Sequence, residues 1–443
     1  MTQTFHLISL GCAKNLVDSE VIYGSLEAAG WTQVEDASAA NVLIVNTCGF
    51  IQPAVEESIE EILQLVELKA NEPEKKIVVV GCLVQRYQDK LVESLSEVDL
   101  FVGTEGVANM ADLLAGLSSD ESQARLILPQ PFLMDHRTPR RISTPSYRAW
   151  LKITEGCDNH CSFCMIPKIR GRLRSRTIDD LISEARRLDS SGVKELSLVA
   201  QDLTAYGNDL NNDQFLTELL AQLLGETDIE WIRLLYLYPS GIDQKLIDLV
   251  FRYSRIVPYL DIPLQHVSNH ILARMNRRYN HHQVVTLFDT IRQRVPDIAL
   301  RTTFLVGFPG ETPEDVEQLA TFIESQKIDH VGIFTYANEE GCPAENYSDQ
   351  LSESVKAERA NYLAGLQSDV SRQKLRNYIG TIEPVLIEGV SRETDLLLEG
   401  RTRFQAPEID GCVLINEGTA DPGDILDVEI TEAQIYDLVG RIV

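Results

Sequence analysis

Three cysteines stand at positions 157, 161 and 164 in the stretch CDNHCSFC. Thiolates spaced by four and three residues fit on one loop and suit zinc or an iron–sulfur cluster. Both groups ordinarily take four protein ligands. No fourth cysteine or histidine lies nearby at zinc-finger spacing, and His160, inside the loop beside Cys161, is poorly placed to ligate. A loop of reduced cysteines without metal is the plainer alternative. A cluster held by three cysteines leaves one iron open, as a catalytic metal site keeps an open position. A cofactor on that iron would carry the hard chemistry while the protein orients it.

A second trio is dispersed. Cys12 follows ISLG, Cys48 follows IVNT and Cys82 follows VVVG, with separations of 36 and 34 residues. Each separation matches one strand–helix crossover to a parallel neighbour. The runs TFHLISL (4–10), NVLIVN (41–46) and KIVVVG (76–81) are short, apolar and rich in β-branched residues, as buried parallel strands are. Between the last two, residues 53–70 place Val55, Ile59, Ile62, Leu63 and Val66 at helical spacing behind Pro53. Alternation of this kind predicts an open parallel α/β sheet. All three thiols then emerge at one carboxyl edge, where such sheets bind ligands. Any one of them reads equally as a buried core cysteine. Three at equivalent strand ends point to a shared metal site.

The remaining chain must position these groups. Residues 129–148 carry four prolines and no periodicity, the mark of a linker. Beyond them, strand and helix signals alternate from WLKITEG to HVGIFTYA, which predicts a (βα) barrel or partial barrel. One helix in this run, TIDDLISEARRLDSSG, opens with Thr177 and Asp180 in capping-box positions and ends at Gly192. Cys157 follows the first strand of the run, on the edge where barrels place their chemistry. After a helix over about 353–377, short strands separated by Gly, Pro and Asp predict a small, five-stranded all-β barrel. The expected domains are 1–130, a linker 131–147, 148–377 and 378–443.

The chain has 443 residues, 44% hydrophobic and 24% charged, as expected of a folded multidomain protein. A net charge of −27 disfavours nucleic acid at long range and favours basic partners. No apolar run approaches the roughly 18 residues that span a bilayer. The start, MTQTFHLISLGC, lacks the basic region of a signal peptide. A cytoplasmic protein is expected, and eight cysteines in a reducing compartment favour metal or catalysis over disulfides.

CDNHCSFC resembles the signature of the radical S-adenosylmethionine superfamily, with Phe163 just before the third cysteine. GCAKNLVDSE (11–20), NTCGFIQPAVEES (46–58), GCLVQRY (81–87) and residues 151–176 resemble the methylthiotransferases of that superfamily, and the terminal β module resembles a TRAM domain. The similarity covers almost the whole chain. It implies two 4Fe–4S clusters, one on Cys12, Cys48 and Cys82, the other on Cys157, Cys161 and Cys164. It implies two equivalents of S-adenosylmethionine. One methylates sulfur held at the first cluster; the other yields a 5′-deoxyadenosyl radical at the second. A one-electron donor such as flavodoxin or ferredoxin and a sulfur source are implied as partners.

Two branches of the family share this layout. One modifies adenosine in tRNA; the other modifies the β-carbon of an aspartate in ribosomal protein uS12. KNLVDSE, GCDNHCSFC and IPKIRGRLRSR resemble the second. Charge agrees. Residues 378–443 hold fourteen Asp and Glu against four Arg and no Lys, a net −10. Phosphate binding needs the opposite sign, whereas a basic ribosomal protein, free or in the small subunit, suits an acidic barrel. An acidic solubilising face is the plainer reading. The target C–H bond is unactivated, so no general acid or base is expected.

Softer candidates remain. Phe163 is expected beside adenine or in the core. Gln201 and Asp202, ending the strand LSLVAQD, are expected to bond cofactor or substrate, or to cap a helix. Gly307, with Gly310, allows close backbone approach to the cofactor or makes a simple turn. Arg170, Arg172, Arg174 and Arg176 attract an anionic group or form a solvated basic edge. Cys342 and Cys412 are expected to be structural or incidental.

Overall fold

The computed structural model describes residues 3–117, 125–210 and 214–443. Six parallel strands form the first sheet: β1 (Thr4–Ser9), β2 (Thr32–Gln33), β3 (Val42–Thr47), β4 (Lys76–Gly81), β5 (Leu100–Val102) and β6 (Arg125–Ile127). Their order is β2-β1-β3-β4-β5-β6. Every residue of β3 is buried, as a central parallel strand covered on both faces requires. Helix α1 (Ala13–Ala28) follows β1, α2 (Gln52–Asn71) follows β3, and the short α3 (Cys82–Tyr87) follows β4. β1 pairs with β3 and β3 with β4, so the three expected strands are adjacent and in parallel register.

The central sheet contains β7 (Arg148–Lys152), β10 (Glu195–Val199), β11 (Trp231–Leu234), β12 (Ile256–Asp261), β13 (Ala299–Val306) and β14 (His330–Thr335) in that spatial order, all parallel. It is a partial barrel with edges at β7 and β14. A two-stranded ribbon, β8 (Thr154–Glu155) and β9 (Arg174–Ser175), closes the neck of the loop that carries the clustered cysteines. The helix Ile178–Ser190 is capped by Thr177, whose side chain accepts from the Asp180 N–H. The reciprocal half of the expected box does not form there. Arg176 and His136 claim the Asp180 carboxylate instead.

The last five strands are β15 (Ile382–Val390), β16 (Leu398–Thr402), β17 (Val413–Glu417), β18 (Ile425–Ala433) and β19 (Leu438–Ile442). They close a barrel in the order β15-β16-β17-β19-β18, with β17 and β19 parallel and the other pairs antiparallel. This barrel docks on the amino-terminal ends of the central strands. Arg401 of β16 and Arg233 of β11 both bind Glu195, the first residue of β10, and Arg148, the first of β7, pairs with Glu408.

The proline-rich segment is more than a passive connection. Arg140 is buried between Glu20 of α1 at 2.6 Å and Glu184 of the helix Ile178–Ser190 at 2.5 Å. Arg176 also binds Glu184, at 2.6 Å. This row of alternating charge ties the first domain to the second.

Candidate active site

Backbone proximity brings Cys12, Cys48 and Cys82 together. Gly11 has φ +88°, and a Cβ there would stand 2.8 Å from Cβ of Cys48 and 3.1 Å from its Sγ. A Cβ on Gly49 would stand 2.8–2.9 Å from the backbone of Cys82 and Leu83. The glycines beside the cysteines therefore let three strand ends converge. Side chains then fix the ends. Asn15 donates to the carbonyl of Leu10 at 2.6 Å, and buried Asn46 donates to the carbonyl of Asn15 and to Ser19. Ser58 of α2 bonds both the N–H and the carbonyl of Cys48.

Charge distinguishes the three thiols. Burial pushes Cys82 up to about 11, against the pull of Arg170. Cys48 is raised by burial. Cys12 is exposed by area yet closely surrounded by protein; burial raises its pKa, but Lys14 and Arg170 outweigh this and leave it below the ordinary thiol value.

The second trio is held from the opposite side. Cys157 donates its N–H to the carbonyl of Gly171 across the loop neck. Ser162 donates to the carbonyls of Met275 and Arg274, and Asn276 donates to the carbonyl of His160. Each sulfur faces a donor. The N–H of Asn159 points at Cys157 Sγ (3.4 Å), that of Ile166 at Cys164 Sγ (3.5 Å), and Arg277 Nη1 at Cys161 Sγ (3.5 Å). Donors of this kind favour thiolate over thiol. His160 is exposed, consistent with a non-ligand. Burial raises Cys157 and Cys164. Among the described residues no three His, Cys, Asp or Glu side chains converge on a single-ion site. Both donor sets are all thiol, the chemistry that iron–sulfur groups use.

A small apolar cluster links the two trios' neighbourhoods. Cys82 packs with Met165, Ile169 and Cys342. Cys342 is thus buried between the two groups rather than placed at random, and burial raises its thiol to about 11. Its loop is clamped onto the first domain. Glu339 accepts from the Gln52 N–H at the start of α2 and pairs with Arg86, which also donates to the carbonyl of Gly49. Cys412 lies apart, at the base of β17.

The arginine run is not a solvated edge. Arg170 is buried, pairs with Asp18 at 2.5 Å and reaches Cys82 Sγ at 3.2 Å. Arg174 binds Glu105, and Arg176 binds Asp180 and Glu184. Only Arg172 is exposed, beside Asp158. Asp202 caps a short turn through Thr204 and accepts from Asn159 of the cysteine loop at 2.7 Å. Gln201 is half-buried beside it. Phe163 packs against the apolar group of Phe308, Tyr336 and Met275. Gly307 has φ +73° and lies under the stem of Lys356, 2.3 Å from where its Cβ would be. The sequence reading passed over Lys14, Asn15, Asp18, Glu155, Arg277 and Glu339. Polar residues at 14, 15 and 18, one turn of α1, were the available signal for the first three.

Three family models match in order: the uncharacterized protein family UPF0004 over 4–103, the radical SAM superfamily over 151–323, and the TRAM domain over 379–443. The ribosomal protein uS12 methylthiotransferase RimO of Desulfotalea psychrophila is 57% identical over 439 residues, 99% of each chain. That of Pelobacter propionicus is 47% identical over 99% of this chain and 98% of its own. Among solved structures, the radical S-adenosylmethionine methyltransferase TsrM from Kitasatospora setae aligns with TM-score 0.58 at 15% identity, covering 83% of this chain and 89% of that one. The cobalamin-dependent radical enzyme OxsB aligns with TM-score 0.53 at 11% identity, covering 81% and 56%. These two share the fold. Identity across essentially the whole chain and three matching models in one order show that it belongs to the RimO family of radical S-adenosylmethionine methylthiotransferases.

Proposed function

We propose that the protein adds a methylthio group to the β-carbon of an aspartate in ribosomal protein uS12, using two 4Fe–4S clusters and two equivalents of S-adenosylmethionine. The observation that carries this reading is the pair of all-cysteine trios, linked where Cys82 packs with Met165, Ile169 and Cys342, the last of which also neighbours Cys164. Cys12, Cys48 and Cys82 would hold one cluster, and Cys157, Cys161 and Cys164 the other. Bound there, one cluster would supply the electron that cleaves S-adenosylmethionine, and the other would hold the sulfur to be transferred.

The chain's own residues position both groups. Arg170 and Arg277 stand against Cys82 and Cys161, each with a guanidinium to offset thiolate charge. Ion pairs through Arg140 and Glu339 fix the two domains in one alignment, and positioning is what such chemistry demands.

The choice of protein over RNA is supported by the barrel. Three of its four arginines are already paired with acids: Arg401 with Glu195 and Glu388, Arg441 with Glu429, and Arg403 with Glu383. Little positive charge is left for phosphates. No helix among the described residues is long and apolar enough to cross a membrane; we take the enzyme to act in the cytoplasm, with a flavodoxin- or ferredoxin-type donor. The test is anaerobic reconstitution with uS12 or with tRNA. Mass gain of one methylthio group on uS12, and none on tRNA, is expected. The reverse result would reject the reading.

A further inference from the structure

Nine Lys and Arg residues are buried over the whole residue, backbone included, among those described. Eight lie within ion-pair distance of a carboxylate. Lys14 does not. It is 7% exposed and is the second residue of α1, just after Cys12. Its one hydrogen bond among the described residues is a long one, 3.4 Å to the carbonyl of Ala200. An ammonium has three donors, so two are left over. A buried ammonium with unused donors and no carboxylate partner is costly.

The neighbouring acids are committed elsewhere. Asp18 is shared by Lys152 and Arg170, and Glu155 by the same two. Three cations face two carboxylates, so no carboxylate is left for Lys14, and the acidic group that remains beside it is the Cys12 thiol. Lys14 Nζ lies 3.7 Å from the ring centroid of Tyr236, a cation–π contact. Tyr236 holds φ +61°, uncommon for a bulky residue. Asp261 takes its N–H at 3.1 Å, and Arg301 holds Asp261 at 3.0 Å. The strained backbone and the cation–π contact thus coincide at this residue. The place is also specific. Ala200 leads directly into Gln201 and Asp202, and Asp202 binds Asn159 of the second cysteine loop. Lys14 therefore reaches from the first trio's helix into the mouth of the central sheet.

We infer that Lys14 is the receptor for the side-chain carboxylate of the substrate aspartate and holds its β-carbon toward the two trios. This rests on the uS12 reading above. A neutral adenine gains nothing from such a cation, so Lys14 also sets the substrate class.

The test uses reconstituted, full-length enzyme and a fluorescent uS12 peptide carrying either the target aspartate or asparagine. Anisotropy gives Kd for wild type, Lys14→Met and Lys14→Arg. Lys14→Met is expected to weaken the aspartate peptide about 30-fold or more, while the asparagine peptide changes little. Lys14→Arg should restore part of the loss, and iron content should hold in both variants. Equal weakening of both peptides, or unchanged aspartate binding, would overturn the inference. So would loss of iron in Lys14→Met, which would assign the lysine to Cys12 instead. A wild-type enzyme that modifies tRNA and not uS12 would overturn the parent reading, and the receptor role with it.

Discussion

Arg170 Nη2 lies 3.2 Å from Cys82 Sγ, joining the loop of one cysteine trio to a thiol of the other across 88 positions of sequence. The same guanidinium binds Asp18 at 2.5 Å. Arg170→Met removes a buried cation that serves both. Asp18 keeps Lys152 as a partner, so the loss should fall below the roughly 3–5 kcal/mol of a buried charge left unpaired. The urea midpoint should fall accordingly, and the reconstituted variant should bind less iron. Full iron with wild-type stability would show that Arg170 matters to neither.

The trios should divide the labour. Replacing Cys157, Cys161 and Cys164 by Ala is expected to abolish reductive cleavage of S-adenosylmethionine. Replacing Cys12, Cys48 and Cys82 should leave cleavage largely intact and stop methylthiolation. Release of 5′-deoxyadenosine and the mass of uS12 read the two steps separately. Equal loss of cleavage in both folded variants would contradict the division.

Gly11→Ala tests convergence with every cysteine retained. The added Cβ meets Cys48 at 2.8 Å on a backbone with φ +88°. Non-glycine residues at strained positive φ cost about 1–3 kcal/mol. Iron should fall by one cluster's share while cleavage of S-adenosylmethionine persists. Two full clusters in this variant would mean that the strand ends can spread without penalty.

Arg140 is 1% exposed at its side chain, between Glu20 and Glu184, which are equally buried. Arg140→Ala leaves Glu20 without its arginine partner and is expected to destabilise by about 3–5 kcal/mol. Limited proteolysis should show early cleavage in 129–147. A thermal midpoint equal to wild type would remove this arginine from the domain interface.

Glu195 predicts acid sensitivity where the barrel docks. Burial alone would raise its carboxyl, but Arg401 and Arg233 outweigh burial and hold it at about 2, below its ordinary 4.5. A depressed folded-state value contributes stability above the unfolded value and loses it as pH falls. The window is therefore about pH 4.5 down to about 2, and the contribution is about 3 kcal/mol. The thermal midpoint should drop through this window. Arg401→Met should flatten the drop, and an unchanged profile in that variant would exclude Glu195 as its source.

The sequence by itself determined the cysteines' grouping, the strands that carry them and the order of domains. Those signals are local: β-branched runs, helical spacing behind Pro53, and thiols three or four residues apart. It also supplied the glycines beside Cys12, Cys48 and Cys82, though not what they touch. Tertiary structure decided the partners. Arg170 resembles any residue of a basic run until Asp18 and Cys82 surround it. Cys342 looks incidental until it lies between the trios. Lys14 becomes notable only because the acids near it are already paired. Ion pairing and burial join residues more than a hundred positions apart, and no spacing rule along one chain records which charge meets which.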